Sequence, residues 1–285
     1  MHQGQLTVAV LGPLGTYTHQ AAYGRFGSSV QYHECGTITD VFNVVASQVA
    51  HAGVVPQENS TFGSVIETYD ALRRENIGTI CGEILLEVQH CLLVRRGVKR
   101  EDIRYIKSHE QALGQCRDFL AQHFPSAALE KVGSTAAAAK AVSTSDDCAA
   151  ICSKVCATVF SDLEIMFEGI QDRNNNYTRF YVVSAALDEL PSPVPIPRQT
   201  RCLVRLSSAK GNRPSPIMQL LSALGMNIAR LDRRPQLDTT LLFSNIYFAE
   251  LERGELGDEP WMLEIQCALQ RVQDSGGDAQ LMGIW

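Results

Sequence analysis

The chain is poor in tryptophan, with two, and in aromatic residues altogether, at 7% of 285. It has no block of basic residues: 25 Lys and Arg face 31 Asp and Glu, for a net charge of −6. Nucleic-acid binding needs clustered positive charge, so the composition argues against that partner. A small anion is still admitted, because one arginine or a helix N-terminus attracts it whatever the overall sign. No apolar run approaches the ~20 residues that span a bilayer, and residues 1–10 lack the basic segment and long apolar core of a secretory leader. A cytoplasmic protein with no membrane partner is expected. Disulfide architecture is missing too: nine cysteines, an odd number without a framework, suit a reducing compartment. Cys148, Cys152 and Cys156 recur every four residues without a C-x-x-C knuckle or a nearby histidine. They read as packing residues, and no metal is expected.

What is present is alternation. Residues 6–184 read as strands and helices in turn. Strands are expected at 6–11, 30–34, 52–56, 87–95, 103–107, 129–132, 148–152 and 178–184. Helices are expected at 18–26, 38–51, 65–74, 111–124 and 134–142. Such alternation predicts parallel sheets covered on both faces by helices. Two such runs suggest two α/β lobes with a cleft between them, and ligands of these folds sit beyond the carboxyl ends of the strands. At 191–197 proline occupies alternate positions, the signature of a stiff extended spacer. Beyond it the order is strand, helix, two strands, helix, strand, which is ferredoxin-like. The domains are therefore expected at 1–190 (two lobes), 191–199 (Pro-rich linker) and 200–285 (an α+β βαββαβ unit).

The polar loops collect where strands end and helices begin. Gly12-Pro13-Leu14-Gly15-Thr16-Tyr17-Thr18-His19 leaves a strand and opens a helix, so its backbone N–H groups and the helix dipole favour a carboxylate or phosphate. A tight turn with a threonine cap explains it as well. In Pro56-Gln57-Glu58-Asn59-Ser60, Glu58 is an acid or a loop anchor, and Asn59 and Ser60 are carboxylate partners. Ser108-His109-Glu110-Gln111 offers a cap at Ser108 and a proton carrier at His109. Asn176-Tyr177-Thr178-Arg179-Phe180 opens a strand, so Thr178 and Phe180 share one face and Arg179 points to the other. Arg173 and Arg179 are the cations nearest the expected cleft, and arginine suits a carboxylate clamp.

These loops, in this order, closely resemble the prephenate dehydratase family. The signatures are Gly12-Pro13-Leu14-Gly15-Thr16-Tyr17-Thr18-His19-Gln20-Ala21, Val55-Pro56-Gln57-Glu58-Asn59-Ser60, Ser108-His109-Glu110-Gln111-Ala112-Leu113-Gly114-Gln115-Cys116, Ser134-Thr135-Ala136-Ala137-Ala138 and Asn176-Tyr177-Thr178-Arg179-Phe180. Gln57 departs from the family, which usually has an apolar residue there. The resemblance implies a catalytic domain of two α/β lobes like a periplasmic binding protein. It implies conversion of prephenate to phenylpyruvate, water and carbon dioxide, on the route to phenylalanine, with no cofactor and no metal. It implies that Thr178 is essential, and a hydrogen bond from its hydroxyl to the leaving hydroxyl is the role expected of it. Arg179 is then the candidate clamp or a brace of the cleft wall, Phe180 packs beside the substrate, and Glu58 and His109 are candidate proton donors. Thr16, Asn59, Ser60, Ser108 and Gln115 are the expected polar contacts.

The tail resembles an ACT domain, the regulatory module that dimerises and binds phenylalanine in relatives. Its Glu-Ser-Arg-Pro signature stands here as Asp232-Arg233-Arg234-Pro235, and its Gly-Ala-Leu turn as Ser215-Pro216-Ile217. With Asn227, the residues Ser215, Ile217, Asp232, Arg234 and Pro235 are the expected effector contacts. Two prolines and a lost glycine stiffen that turn, so an altered response to phenylalanine is expected. A dimerisation domain without an effector is the alternative. The implied assembly is a homodimer or homotetramer. Competing readings of the whole chain are an arogenate dehydratase and a non-catalytic binding protein for small anions.

Overall fold

The computed structural model describes residues 5–74, 76–185, 199–208, 216–237, 242–254 and 260–285. The chain first lays down β1 (Thr7–Leu11), α1 (Tyr17–Phe26), β2 (Gln31–Cys35), α2 (Ile38–Ala46), β3 (Ala52–Asn59), the short β4 (Gly63–Ser64), α3 (Ile66–Leu72) and β5 (Thr79–Glu87). It then crosses to a second lobe of β6 (Cys91–Arg95), β7 (Tyr105–Ser108), α4 (Glu110–Gln115), α5 (Arg117–His123), β8 (Ala128–Lys131), α6 (Thr135–Val142), β9 (Cys148–Cys152), α7 (Cys156–Val159) and β10 (Leu163–Phe167). The return strand β11 (Tyr177–Ser184) re-enters the first lobe between β3 and β5. A tail unit follows: β12 (Arg201–Ser208), α8 (Ile217–Leu224), β13 (Asn227–Pro235), β14 (Asn245–Glu252), α9 (Trp261–Asp274) and β15 (Gly277–Ile284).

Local chemistry explains most of these starts and stops. Thr16 caps α1 by accepting from the His19 N–H, and Ser134 caps α6 by accepting from Ala137. Thr37 and Asp40 form a reciprocal capping box at α2. The apolar face of α2, Ile38, Val41, Phe42 and Val45, falls at helical spacing and is buried. Cys148, Cys152 and Cys156 pack in the core under α6.

Several expectations fail in the structure. The sheets are mixed, because the returning β11 runs antiparallel to both β3 and β5, and β6 runs antiparallel to β9 and β10. The run 87–95 is two strands broken at Val88-Gln89-His90, where the chain changes lobes, and β5 begins back at Thr79. The expected helix 111–124 is two, because the Asp172 carboxylate accepts from the Arg117 and Asp118 N–H groups and caps α5 separately. The helix 38–51 stops at Ala46, with Gln48 at a φ of 58°. The prolines at 191–197 and Ser215 lie outside the described residues.

The tail sheet is antiparallel, in the order β13-β14-β12-β15, and it continues into the first lobe through β15 and β5. The join is one parallel pair, Gly283 with Ile80. Leu203, Ile246, Phe248 and Met282 of the tail share a core with Phe42, Tyr69 and Tyr181 of the first lobe. One face of the tail sheet is therefore packed on the first lobe and the other carries α8 and α9. Among the described residues no helix is long and apolar enough to cross a membrane.

Gly283 is held small by this junction: a Cβ there would lie 2.1 Å from the Ile80 carbonyl oxygen. Gly283→Ala is expected to cost about 1–3 kcal/mol, the range for overpacking a tight contact. Calorimetry should show a lower melting temperature; an unchanged one would mean the join between the sheets does not bear on stability.

Candidate active site

A cleft of about 360 Å³ lies between the two lobes. That is at the small end of ligand pockets. The N-terminal residues of three helices reach it: Thr16 and Tyr17 of α1, His109 and Gln111 of α4, Ser134 and Thr135 of α6. The first-turn N–H groups of a helix have no partner within the helix, and the dipole adds partial positive charge. No Lys, Arg, Asp or Glu is among the described lining residues. The helix N-terminal N–H groups are therefore the fixed positive ends that the described lining presents to a ligand.

The sharpest geometry is at the edge where β3 meets β11. Asn59 Nδ2 donates to Thr178 Oγ1 at 2.9 Å and to Asn176 Oδ1 at 2.7 Å. Asn59 Oδ1 accepts from the N–H groups of Thr61 and Phe62, at 2.9 and 3.1 Å. Those two N–H groups fix which end of the amide is oxygen, so Nδ2 must face Thr178. Because Thr178 Oγ1 accepts from Asn59, its own proton is free for a ligand. Both Thr178 and the buried Phe180 line the cleft.

On the opposite wall His90 sits on the crossing between β5 and β6. Its Nε2 lies 2.6 Å from Gln115 Oε1 and its Nδ1 2.5 Å from Tyr17 Oη. The arrangement makes a chain in which His90 Nε2–H donates to Gln115 and the Tyr17 hydroxyl donates to Nδ1. Burial lowers the His90 pKa, against the opposing pull of Gln115. Burial also pushes the Tyr17 phenol well above its ordinary value, helped by neighbouring cysteines, so it remains a donor.

The expected site residues divide. Thr16, Asn59, His109, Gln115, Thr178 and Phe180 meet at the cleft. Arg179 does not: strand alternation turns it to the other face, where Nε and Nη2 reach Glu83 at 3.1 and 2.7 Å and Nη2 reaches Glu250 at 2.7 Å. Burial works against that charge, but the bonds to Glu83 and Glu250 prevail and hold the guanidinium pKa above its usual value. Glu58 lies on the same far face, paired with Arg230 of the tail. Ser108 is buried and donates to the Ile151 carbonyl, and Ser60 is tied to Asn175 and Tyr177 of the β11 approach. Neither lines the cleft. Arg173 does not line it either.

Sequence reading missed His90, Asn176 and the Tyr17 hydroxyl. Tyr17 and Asn176 lie inside motifs already singled out. His90 had one signal, the polar Gln89-His90 step inside an apolar run. In the tail, Asp232 accepts from Ser64 and pairs with Arg230, Arg234 makes two bonds to Asp70, and the Pro235 carbonyl accepts from Arg73. These residues face the first lobe. Asn227 opens β13 exposed, and Ile217 opens α8.

A model of the prephenate dehydratase family matches residues 8–187. The bifunctional chorismate mutase/prephenate dehydratase of Neisseria gonorrhoeae is 34% identical, over 98% of this chain and 74% of its own length. The corresponding protein of Pseudomonas aeruginosa is 37% identical over 81% of this chain, which spans 61% of that relative. A prephenate dehydratase from Arthrobacter aurescens, solved in complex with L-Phe, superposes with a TM-score of 0.77 at 27% identity. The match covers 98% of this chain and 89% of that one.

Two buried histidines tie stability to pH. His19 Nδ1 accepts from the Gly15 N–H, and burial lowers its pKa against a smaller opposing effect of Glu34. His90 is lowered likewise. Above the unfolded value of about 6.5 both states are neutral and stability is full; below it the unfolded chain takes up protons first and stability declines. Urea midpoints are expected to fall from pH 7 to pH 5, with up to about 1.4 kcal/mol per pH unit for each histidine. The slope should shrink in His90→Gln. A slope that persists unchanged in that variant would remove His90 from the effect.

Proposed function

The chain belongs to the prephenate dehydratase family, and from that premise we propose that its cleft takes water and carbon dioxide from prephenate to leave phenylpyruvate, in phenylalanine biosynthesis. The observation that carries the reading is the Asn59–Thr178 pair, which presents a free hydroxyl proton in a cleft ringed by helix N-termini. Prephenate has two carboxylates and one ring hydroxyl. The C–O bond to that hydroxyl breaks and the group leaves as water, taking up one proton. The C–C bond to the ring carboxylate breaks, carbon dioxide leaves, and its bonding pair completes the aromatic ring. Aromatisation supplies the driving force, so the protein's task is orientation and help to the departing hydroxyl.

Thr178 donates its hydrogen bond to that hydroxyl as charge develops on it. A threonine hydroxyl does not give up its own proton readily, so the proton that turns the leaving hydroxyl into water comes from another donor. His109 lines the cleft, whereas Glu58 is on the far face, and His109 is therefore the proton source in this reading. The carboxylates are met by the N-termini of α1 and α6 rather than by an arginine. The described lining residues include no Asp or Glu for the ammonium group of arogenate, which favours prephenate. The tail is an ACT regulatory domain beginning near residue 200, joined through a linker at 191–199, that binds phenylalanine and pairs subunits into a homodimer or homotetramer. The A. aurescens protein's complex with L-Phe supports phenylalanine as the effector. The enzyme works in the cytoplasm without metal or cofactor.

Thr178→Ala is expected to lower kcat about 10²–10³-fold with KM little changed, the pattern of a transition-state contact. Thr178→Ser should retain most activity. Phenylpyruvate release measures both, and a folded Thr178→Ala protein with near-normal kcat would overturn the role. The same assay on arogenate separates the two substrates. Calorimetric titration with phenylalanine is expected to show binding that tyrosine and tryptophan do not reproduce; no heat would leave the tail as a pairing domain only.

A further inference from the structure

The β3–β11 ladder pairs Thr178 with Asn59 and, one step along, Arg179 with Glu58. Successive residues alternate faces. One cross-strand pair therefore faces the cleft and its immediate neighbour faces the tail unit. The register shifts between Arg179 and Phe180, so the regular ladder does not by itself fix this stretch.

The tail unit grips the second pair. Arg230 of β13 bonds to Glu58, and its Nη2 also donates to Ser64 Oγ at 2.7 Å. Ser64 belongs to β4, which pairs with Glu58 on the other side of the hairpin, and Ser64 donates to Asp232 at 2.7 Å. Glu250 of β14 is 1% exposed, and its Oε1 accepts from Arg179 at 2.7 Å and from Arg201 at 3.0 Å. Arg179 is thereby shared between Glu83 of its own lobe and Glu250 of the tail. Glu250 is the buried member, so moving either arginine away would leave its carboxylate uncompensated.

We infer that Arg230 and Glu250 of the tail unit are positioning residues for the dehydration: through Glu58 and Arg179 they hold β3 and β11 in the register that aims the Asn59 amide at Thr178. The inference rests on the functional reading of Thr178 above. A docking role alone predicts no preference among the contacts between tail and lobe. One comparable contact lands elsewhere: Arg234 bonds to both oxygens of Asp70, on α3, at 2.7 and 2.9 Å. It holds the tail without touching the strands that carry the cleft pair.

The test compares Glu250→Gln, Arg230→Lys and Asp70→Asn in the full chain. Misplacement of a catalytic group costs rate more than binding, so Glu250→Gln and Arg230→Lys are expected to lower kcat about fivefold or more with KM within about twofold. Asp70→Asn is expected to lower the melting temperature comparably and leave kcat alone. Combining Glu250→Gln with Arg179→Gln should cost little beyond the larger single effect. Equal kcat in Glu250→Gln and wild type, or equal losses in Glu250→Gln and Asp70→Asn, would overturn the inference. Should Glu250→Gln fail to fold, Arg230→Lys decides by the same outcomes. Amide hydrogen exchange at residues 58–61 and 177–180 gives a readout independent of turnover: faster in Glu250→Gln and Arg230→Lys, unchanged in Asp70→Asn. Were wild type inactive on prephenate, the functional reading would fail while the exchange comparison would still decide whether the tail positions these strands.

Discussion

Asn59 has one amide group and uses every part of it. Its oxygen takes two backbone N–H groups of the following turn, and its nitrogen reaches Asn176 and Thr178. The turn after β3, the approach to β11 and the Thr178 hydroxyl are thus held by a single side chain. β11 must return through the middle of the first lobe for Thr178 to stand opposite Asn59. That demand makes the sheet mixed, and it places the two lobe crossings side by side at the cleft mouth. The helices then arrive with their N-terminal ends at the same opening.

The molecule separates its charges by face. The cleft side of β3 and β11 carries amides, hydroxyls and an aromatic ring. The opposite side carries Glu58, Glu83 and Arg179, joined by Arg201, Arg230 and Glu250 of the tail. The separation follows from a period of two along a strand. A motif of adjacent residues therefore serves two places at once, and Thr178-Arg179 is one motif with two addresses.

Much of this was legible in the chain. Caps at Thr16 and Ser134, the amphipathic face of α2, and the succession of strands and helices in the tail follow from local rules, and the structure has them. Alternation already pointed Arg179 away from Thr178, although its partners could not be named. What was not legible depends on distance in sequence. Glu250 meets Arg179 across 71 residues, and Tyr17 meets His90 across 73. The split of 111–124 into two helices comes from Asp172, 55 residues beyond Arg117. β5 was overlooked because Gly82 and Glu83 interrupt its apolar pattern, and Glu83 is charged for the sake of Arg179. No local signal announces such partners.

That no Lys, Arg, Asp or Glu is among the described lining residues of the cleft has a consequence for release. A dianion held by backbone dipoles displaces no fixed counter-charge on entering and strands none on leaving. Once the ring carboxylate has departed as an uncharged gas, one of the two anionic handles is gone, and no arginine among the described lining residues retains the residual monoanion. In the proposed reaction the chemistry itself loosens the grip, and the enzyme can let its product go without first breaking a salt bridge.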